Sequence, residues 1–173
     1  MEVHPQQRCY RAGGASREVR CLVHSAQSAK DVYALKNSLW GLATAAKEAS
    51  HVIPEAKSIS NVIAHRGKML YRIADSLEEK VKSHEKFFFE QLRSLHGYAF
   101  ELERMAYNSC IDKVYPEPKL SKLPSVPKNI ATEVKKAKDK KAADERRRNA
   151  SWARQADKVR RLREAAVRKR SSK

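Results

Sequence analysis

The stretch that decides the fold is SISNVIAHRGKMLYRIADSLEEKVKSHEKFFFEQLRSLHGYAFELERMA, residues 58–106. Its apolar residues recur three and four positions apart, which is the spacing of one face of an α-helix. Gly67 and Gly97 are the weak points for a helix within it. The pattern predicts one helical rod over residues 55–113, about 90 Å long at ~1.5 Å per residue if it is unbroken.

A rod of that length needs a partner helix, because a chain of 173 residues cannot easily cover its apolar stripe. The simplest partner is a second copy of the chain, so we expect a homodimer; another helical protein is the alternative. The ten Lys/Arg and nine Asp/Glu of residues 55–115 nearly balance, which indicates a structural role for this region. The dimer seam that we expect consists of Leu70, Ile73, Leu77, Val81, Phe88, Leu92, Leu95 and Leu102.

The flanking sequence divides the rest of the chain. Residues 1–15 are polar and contain Pro5 and a glycine pair, so we expect disorder there. Helical spacing returns from Ser16 to about His51, and Pro54 should end that helix because proline lacks a backbone N–H. We therefore predict a long-helix coiled-coil region over 16–113, a proline-rich linker over 114–127 and a basic helix over 128–173. The predicted fold is all-α: an elongated antiparallel coiled coil or bundle of long helices.

The charge is concentrated at one end of the chain. The sequence has 37 Lys/Arg and 20 Asp/Glu, a net charge of +17, and residues 128–173 alone carry +12 of it. Such an excess attracts phosphate-rich polyanions. The residues that we expect to bind an anionic lipid surface, or another polyanion, are Lys135, Lys136, Lys138, Lys140, Lys141, Arg146, Arg147 and Arg148.

Two polyanionic partners and one purely structural role remain open from the residues alone. An anionic membrane surface is our first interpretation, because clustered cations bind it reversibly. Nucleic acid is the second, within a ribonucleoprotein or mitochondrial assembly, although Trp152 is the single aromatic residue in 128–173 that could stack on a base. The third is a coiled-coil scaffold whose charges only keep it soluble.

The sequence carries no pattern typical of catalysis. It has no glycine-rich phosphate loop, HExxH, GxSxG or CxxC, so we expect neither an enzyme nor a bound cofactor or metal. Three cysteines without metal-ligand spacing indicate a reducing compartment. No run approaches the ~20 apolar residues of a membrane span, so we expect a cytoplasmic protein with peripheral membrane contact. The four arginines among the first 20 residues are faintly like a mitochondrial presequence, which is the alternative location.

Three segments carry a resemblance to a known family: AHRGKMLYRIADSLEEKV (64–81), ELERMAYNSCIDKVYPEPKL (101–120) and VPKNIATEVKKAKDKKAADERRRNA (126–150). A long seam helix, a proline-marked interruption and a basic helix in that order resemble the BAR superfamily of curvature-sensing dimers. The first segment is similar to the ciliary BAR-domain-containing family, and Val114, Pro116 and Leu120 approximate the interruption. The resemblance implies a homodimer that binds membranes at the ciliary base. The chain departs from the family in having no long helix after the basic one, unless residues 16–51 take its place.

Overall fold

The computed structural model describes residues 5–111, 118 and 120–171, and this part of the chain is helical, without a β-strand. It contains two compact units, Met1–Ile130 and Ala131–Lys173. The prediction of an all-α fold is confirmed. The five α-helices are α1 (Pro5–Gln27), α2 (Val32–Val52), α3 (Lys57–Leu77), α4 (Glu85–Cys110) and α5 (Lys128–Ser171), and 3-10 segments at Pro54–Ala56 and Glu78–His84 precede α3 and α4.

The first four helices form an antiparallel bundle in the first unit. Each helix runs opposite to the one before it, and α4 packs against α1 as well. Side chains of neighbouring helices meet in pairs. Gly41 of α2 lies beside Leu22 of α1, and α2 meets α3 through Trp40 with Tyr71 and Lys36 with Asp75. α4 meets α1 through Arg20 with Glu103 (3.2 Å) and α3 through Arg66 with Gln91 (3.1 Å).

Gly67 sets the close approach of α3 to α2. A Cβ at this position would lie 3.4 Å from both the Ala43 nitrogen and the Leu39 carbonyl oxygen of α2. A helix backbone approaches another this closely where no side chain intervenes. The sequence marks Gly67 as a weak point, but α3 continues through it, and the glycine serves packing instead.

The apolar stripe of residues 58–106 lies in the interior of this bundle. All eight predicted seam residues are buried within the single chain: Leu70, Ile73, Leu77, Val81, Phe88, Leu92, Leu95 and Leu102. Their cover comes from α1 and α2, which contribute buried residues such as Val23 and Leu39. The assignment of these residues to a seam between two molecules is therefore corrected. They form the core of one molecule.

The predicted rod over 55–113 is wrong, because the chain turns back between Leu77 and Glu85. Glu78 ends α3 with φ 45° and ψ −115°, and a 3-10 segment then leads into α4. The spacing of the apolar residues does not predict this turn, because no proline or glycine lies between Gly67 and Gly97. Residues 112 and 113 of the predicted rod lie outside the described residues.

The N-terminal part departs from prediction in two places. Residues 5–15, expected to be disordered, belong to α1, where Ala12 is buried; residues 1–4 lie outside the described residues. The helix expected over 16–51 is two helices, because the Asp31 carboxylate accepts a hydrogen bond from the Ala34 N–H (2.7 Å) and so caps a new helix. The end of α2 before Pro54 is as predicted.

The linker is bound to the bundle by a partly buried polar cluster. The Arg66 guanidinium and the Gln91 amide both donate to the Pro124 carbonyl oxygen, at 2.9 and 3.0 Å, and the Tyr98 hydroxyl donates to that of Ser121. Burial lowers the pKa of Arg66. Residues 118 and 120–127 are not helical, as predicted for the linker; 114–117 and 119 lie outside the described residues.

None of the helices described is both long enough and apolar enough to cross a bilayer.

Candidate anion-binding helix

The second unit consists of α5 beyond Ile130, and it is built differently from the bundle. Pro127 directly precedes the helix, where its fixed φ and missing N–H do no harm. Ala, Lys, Arg and Glu favour the helix locally, and Arg160 makes ion pairs with Asp157 (3.1 Å) and Glu164 (4.0 Å). No residue from Ala131 to Arg168 is buried.

The eight predicted anion-binding residues all lie on α5 with exposed side chains. They occupy residues 135–148, which span about 20 Å of helix at ~1.5 Å per residue. Successive residues are rotated by about 100°, so Arg146, Arg147 and Arg148 point in three directions. A flat surface therefore contacts only part of this set.

Six of the eight residues form two groups of equal charge on opposite sides of the helix, defined by their spacing from Trp152. Lys138, Lys141 and Arg148 precede Trp152 by 14, 11 and four residues, close to whole numbers of turns, so they share its side of the helix. Val159, seven residues after Trp152, lies there too. We call these five residues the Trp152 face.

The opposite group consists of Lys136, Lys140 and Arg147, which precede Trp152 by 16, 12 and five residues. Those separations leave each about a third to nearly half of a turn away from Trp152. We call these three residues the far face. Both groups contain two lysines and one arginine, so they differ in position and not in charge.

The apolar residues of the C-terminal half of α5 are exposed. Trp152 is 73% exposed, Leu162 63% and Val159 48%. A helix with cations around an exposed apolar strip is typical of helices that lie in a membrane interface. The sequence prediction covers 135–148 and leaves out the cations of this half, of which Arg163, eleven residues after Trp152, shares its side of the helix.

Among the described residues of the bundle, one cavity bears comparison with α5 as an anion site and suits an anion less well. A cavity of about 210 Å³ lies near the α1–α2 turn, where the apolar side chains of Leu35, Val81 and Phe88 meet two lysines and two carboxylates. Its rim charges balance, unlike those of α5. Among the described residues, no group of three His, Cys, Asp or Glu is arranged to hold a metal ion.

Comparison with known proteins adds no relative. No family model, no curated protein and no solved structure matches the chain.

Proposed function

We propose that the chain is a non-enzymatic protein that binds anionic membrane surfaces through α5. The helix lies in the plane of the lipid headgroups, with the Trp152 face toward the bilayer, so that its cations meet the headgroups and Trp152 and Val159 reach the acyl chains. The single observation that carries this proposal is the exposed apolar strip of α5, set among cations on a helix in which no residue from Ala131 to Arg168 is buried.

The energies are sufficient for reversible binding. A cation close to an anionic leaflet contributes about 1 kcal/mol, and this attraction fades within a Debye length of roughly 10 Å. The three cations on the contacting side thus supply about 3 kcal/mol, and the repulsion of Glu145, seven residues before Trp152 on the same side, subtracts about 1 kcal/mol. Burial of the indole of Trp152 and the side chain of Val159 adds the apolar contribution that turns attraction into insertion.

The apolar strip favours a membrane over nucleic acid. Phosphates attract every exposed cation of α5 alike, but a nucleic acid backbone leaves Val159 and Leu162 in water. A bilayer interface covers them. We therefore give the membrane first place, with nucleic acid as an outcome of the test.

The proposal does not include a curved rod, because α3 and α4 are separate helices in a bundle. The resemblance to the BAR superfamily is consistent with lipid binding by the basic helix and remains a prediction. So do the cytoplasmic location with membrane contact at the ciliary base and the mitochondrial alternative.

The test compares two triple variants of equal charge. Lys138→Gln/Lys141→Gln/Arg148→Gln alters the Trp152 face, and Lys136→Gln/Lys140→Gln/Arg147→Gln alters the far face. Sedimentation with phosphatidylcholine vesicles, with and without phosphatidylserine, measures binding. We expect binding only with phosphatidylserine, weakened roughly a hundredfold by the first variant and at most about tenfold by the second.

Tryptophan fluorescence reports insertion directly. With Trp40→Phe, Trp152 is the remaining one of the two tryptophans, and its emission should shift to the blue on phosphatidylserine vesicles. An unshifted emission, or equal losses in the two triple variants, contradicts the proposal. Tighter binding to RNA or DNA, weakened equally by both variants and steeply by salt, would replace the membrane with nucleic acid.

A further inference from the structure

The turn between α3 and α4 is strained. Glu78, with φ 45°, is the one non-glycine residue with positive φ in the part of the chain that the structure describes. Residues in sparsely populated backbone regions persist where the surrounding structure holds them. The 3-10 segment that follows has seven residues, whereas 3-10 runs beyond three or four residues are uncommon and often mark a hinge.

The sequence across this turn is that of an uninterrupted helix. Neither proline nor glycine occurs between Gly67 and Gly97, and no Asn-Gly or Asp-Gly pair marks a turn. Ile73, Leu77, Val81, Phe88 and Leu92 keep four- and seven-residue spacings from one side of the turn to the other, and all are buried. Local preference and tertiary packing therefore oppose each other at Glu78–His84.

We propose that Glu78–His84 is a hinge that straightens, so that α3 and α4 become one helix and two copies of the chain exchange α4. In the resulting dimer, α1, α2 and α3 of one copy form a bundle with α4 of the other. The partner is a second copy because only α4 of this sequence fits the surface that α4 leaves. The exchange concerns the first unit and is independent of lipid binding by α5.

The contacts of α4 are kept in the exchange. The pairing of Arg20 with Glu103 and that of Arg66 with Gln91 form between copies instead of within one. Monomer and dimer then differ mainly at the hinge. Straightening removes the positive φ of Glu78 and lets its neighbours make i to i−4 hydrogen bonds. The association of two chains opposes the exchange, so the dimer should form at high protein concentration.

Two glycine variants test the hinge. Glu78→Gly removes the strain of the closed form, since glycine adopts positive φ freely. We expect it to raise the dissociation constant of the dimer roughly five- to tenfold per hinge, and thus roughly 25- to 100-fold for two hinges. Glu79→Gly is the matched control, with the same loss of a carboxylate at a position without positive φ, and should change it by less than about threefold. Light scattering after refolding at a series of concentrations measures the constant.

A cysteine complementation tests the exchange itself. The thiols of Cys9 on α1 and Cys110 on α4 are near enough to influence each other, and the Cys110 thiol donates to the Ala106 carbonyl oxygen (3.2 Å). In a background of Cys21→Ser, one chain carries Cys9→Ser and the other Cys110→Ser, so neither can close a disulfide alone. Only an exchanged dimer brings Cys9 of one chain beside Cys110 of the other.

Oxidised glutathione is the oxidant in this experiment. The two protein thiols lose two protons and two electrons and form one disulfide, while oxidised glutathione is reduced to two molecules of glutathione. We expect a covalent dimer with a Cys9–Cys110 linkage by mass spectrometry after the two chains are refolded together. It should be absent when they are mixed while folded, and reduced when both carry Glu78→Gly.

Three results overturn the proposal. One is a monomer at every concentration together with no Cys9–Cys110 linkage between the co-refolded chains. Another is an equal loss of dimer in Glu78→Gly and Glu79→Gly, because the strain at Glu78 would then play no part. The third is a dimer that forms without that linkage, since its two copies would meet through another surface.

Discussion

The bundle and α5 use similar helix-forming residues but reach stability by different means. Leu95 of α4 is fully buried, whereas Leu162 of α5 is 63% exposed. The bundle helices are stabilised by the apolar faces that they share, while the exposed turns of α5 depend on local helix propensity and ion pairs. The difference indicates that the bundle supplies the folded body, whereas α5 leaves its side chains exposed.

The largest expected effect is on the free energy of unfolding, and a matched pair of leucines, one in the bundle and one in α5, tests the contrast between the two regions. Leu95→Ala should lower the free energy of unfolding of the bundle by about 2–5 kcal/mol, because it leaves a cavity in a packed core. Leu162→Ala should change it by less than about 0.5 kcal/mol. Urea denaturation followed by Trp40 fluorescence, in a Trp152→Phe background, measures both. A large effect of Leu162→Ala would mean that α5 is covered after all.

The next prediction tests whether the linker belongs to the cooperative unit of the bundle. Arg66→Ala removes a donor from the Pro124 carbonyl oxygen and leaves the Gln91 side-chain oxygen without that partner, which should cost about 1–3 kcal/mol. Hydrogen exchange should quicken around residues 120–130. Arg72→Ala, at an exposed arginine of the same helix, is the control and should have little effect. Unchanged exchange in Arg66→Ala would place the linker outside the cooperative unit.

A smaller effect separates local from cooperative helix stability. Ala143→Gly in α5 should weaken that helix by about 1 kcal/mol and reduce the circular dichroism signal at low temperature, without moving the unfolding transition of the bundle. Ala46→Gly, at a buried position of α2, should move that transition. If Ala143→Gly shifts the transition as well, the two units unfold together.

The smallest effect concerns reactivity and distinguishes two thiols. Burial, with the neighbouring Cys9 thiol, raises the pKa of Cys110 to about 11 from an ordinary 9.0, while Cys21 is exposed. Below pH 9 the thiolate of Cys110 should be about a hundredfold scarcer than at the ordinary pKa. Iodoacetamide should therefore modify Cys21 first, and Cys110 only as the pH rises toward 11. Equal rates at pH 8, by peptide mass spectrometry, contradict this.

The candidate site was easier to predict than the bundle. The eight cations of 135–148 were recognisable because a charge run is a local property, and all eight are exposed on a helix. The positions of these cations round the helix relative to Trp152 also follow from their spacing, once α5 is known to run unbroken. The docking of the linker by Arg66 and Gln91 was not predictable, since the bond to Pro124 joins residues 33 and 58 positions apart.

The sequence by itself determined the helical content, the apolar positions of the core and the basic character of α5, because propensity, periodicity and charge act over a few residues. Only the tertiary structure decided what covers the apolar stripe. The stripe of Leu77 and Leu95 pairs equally well with helices of its own chain or of another. The turn at Glu78 resolves that choice in favour of α1 and α2, where burying the stripe outweighs the strain of a positive φ.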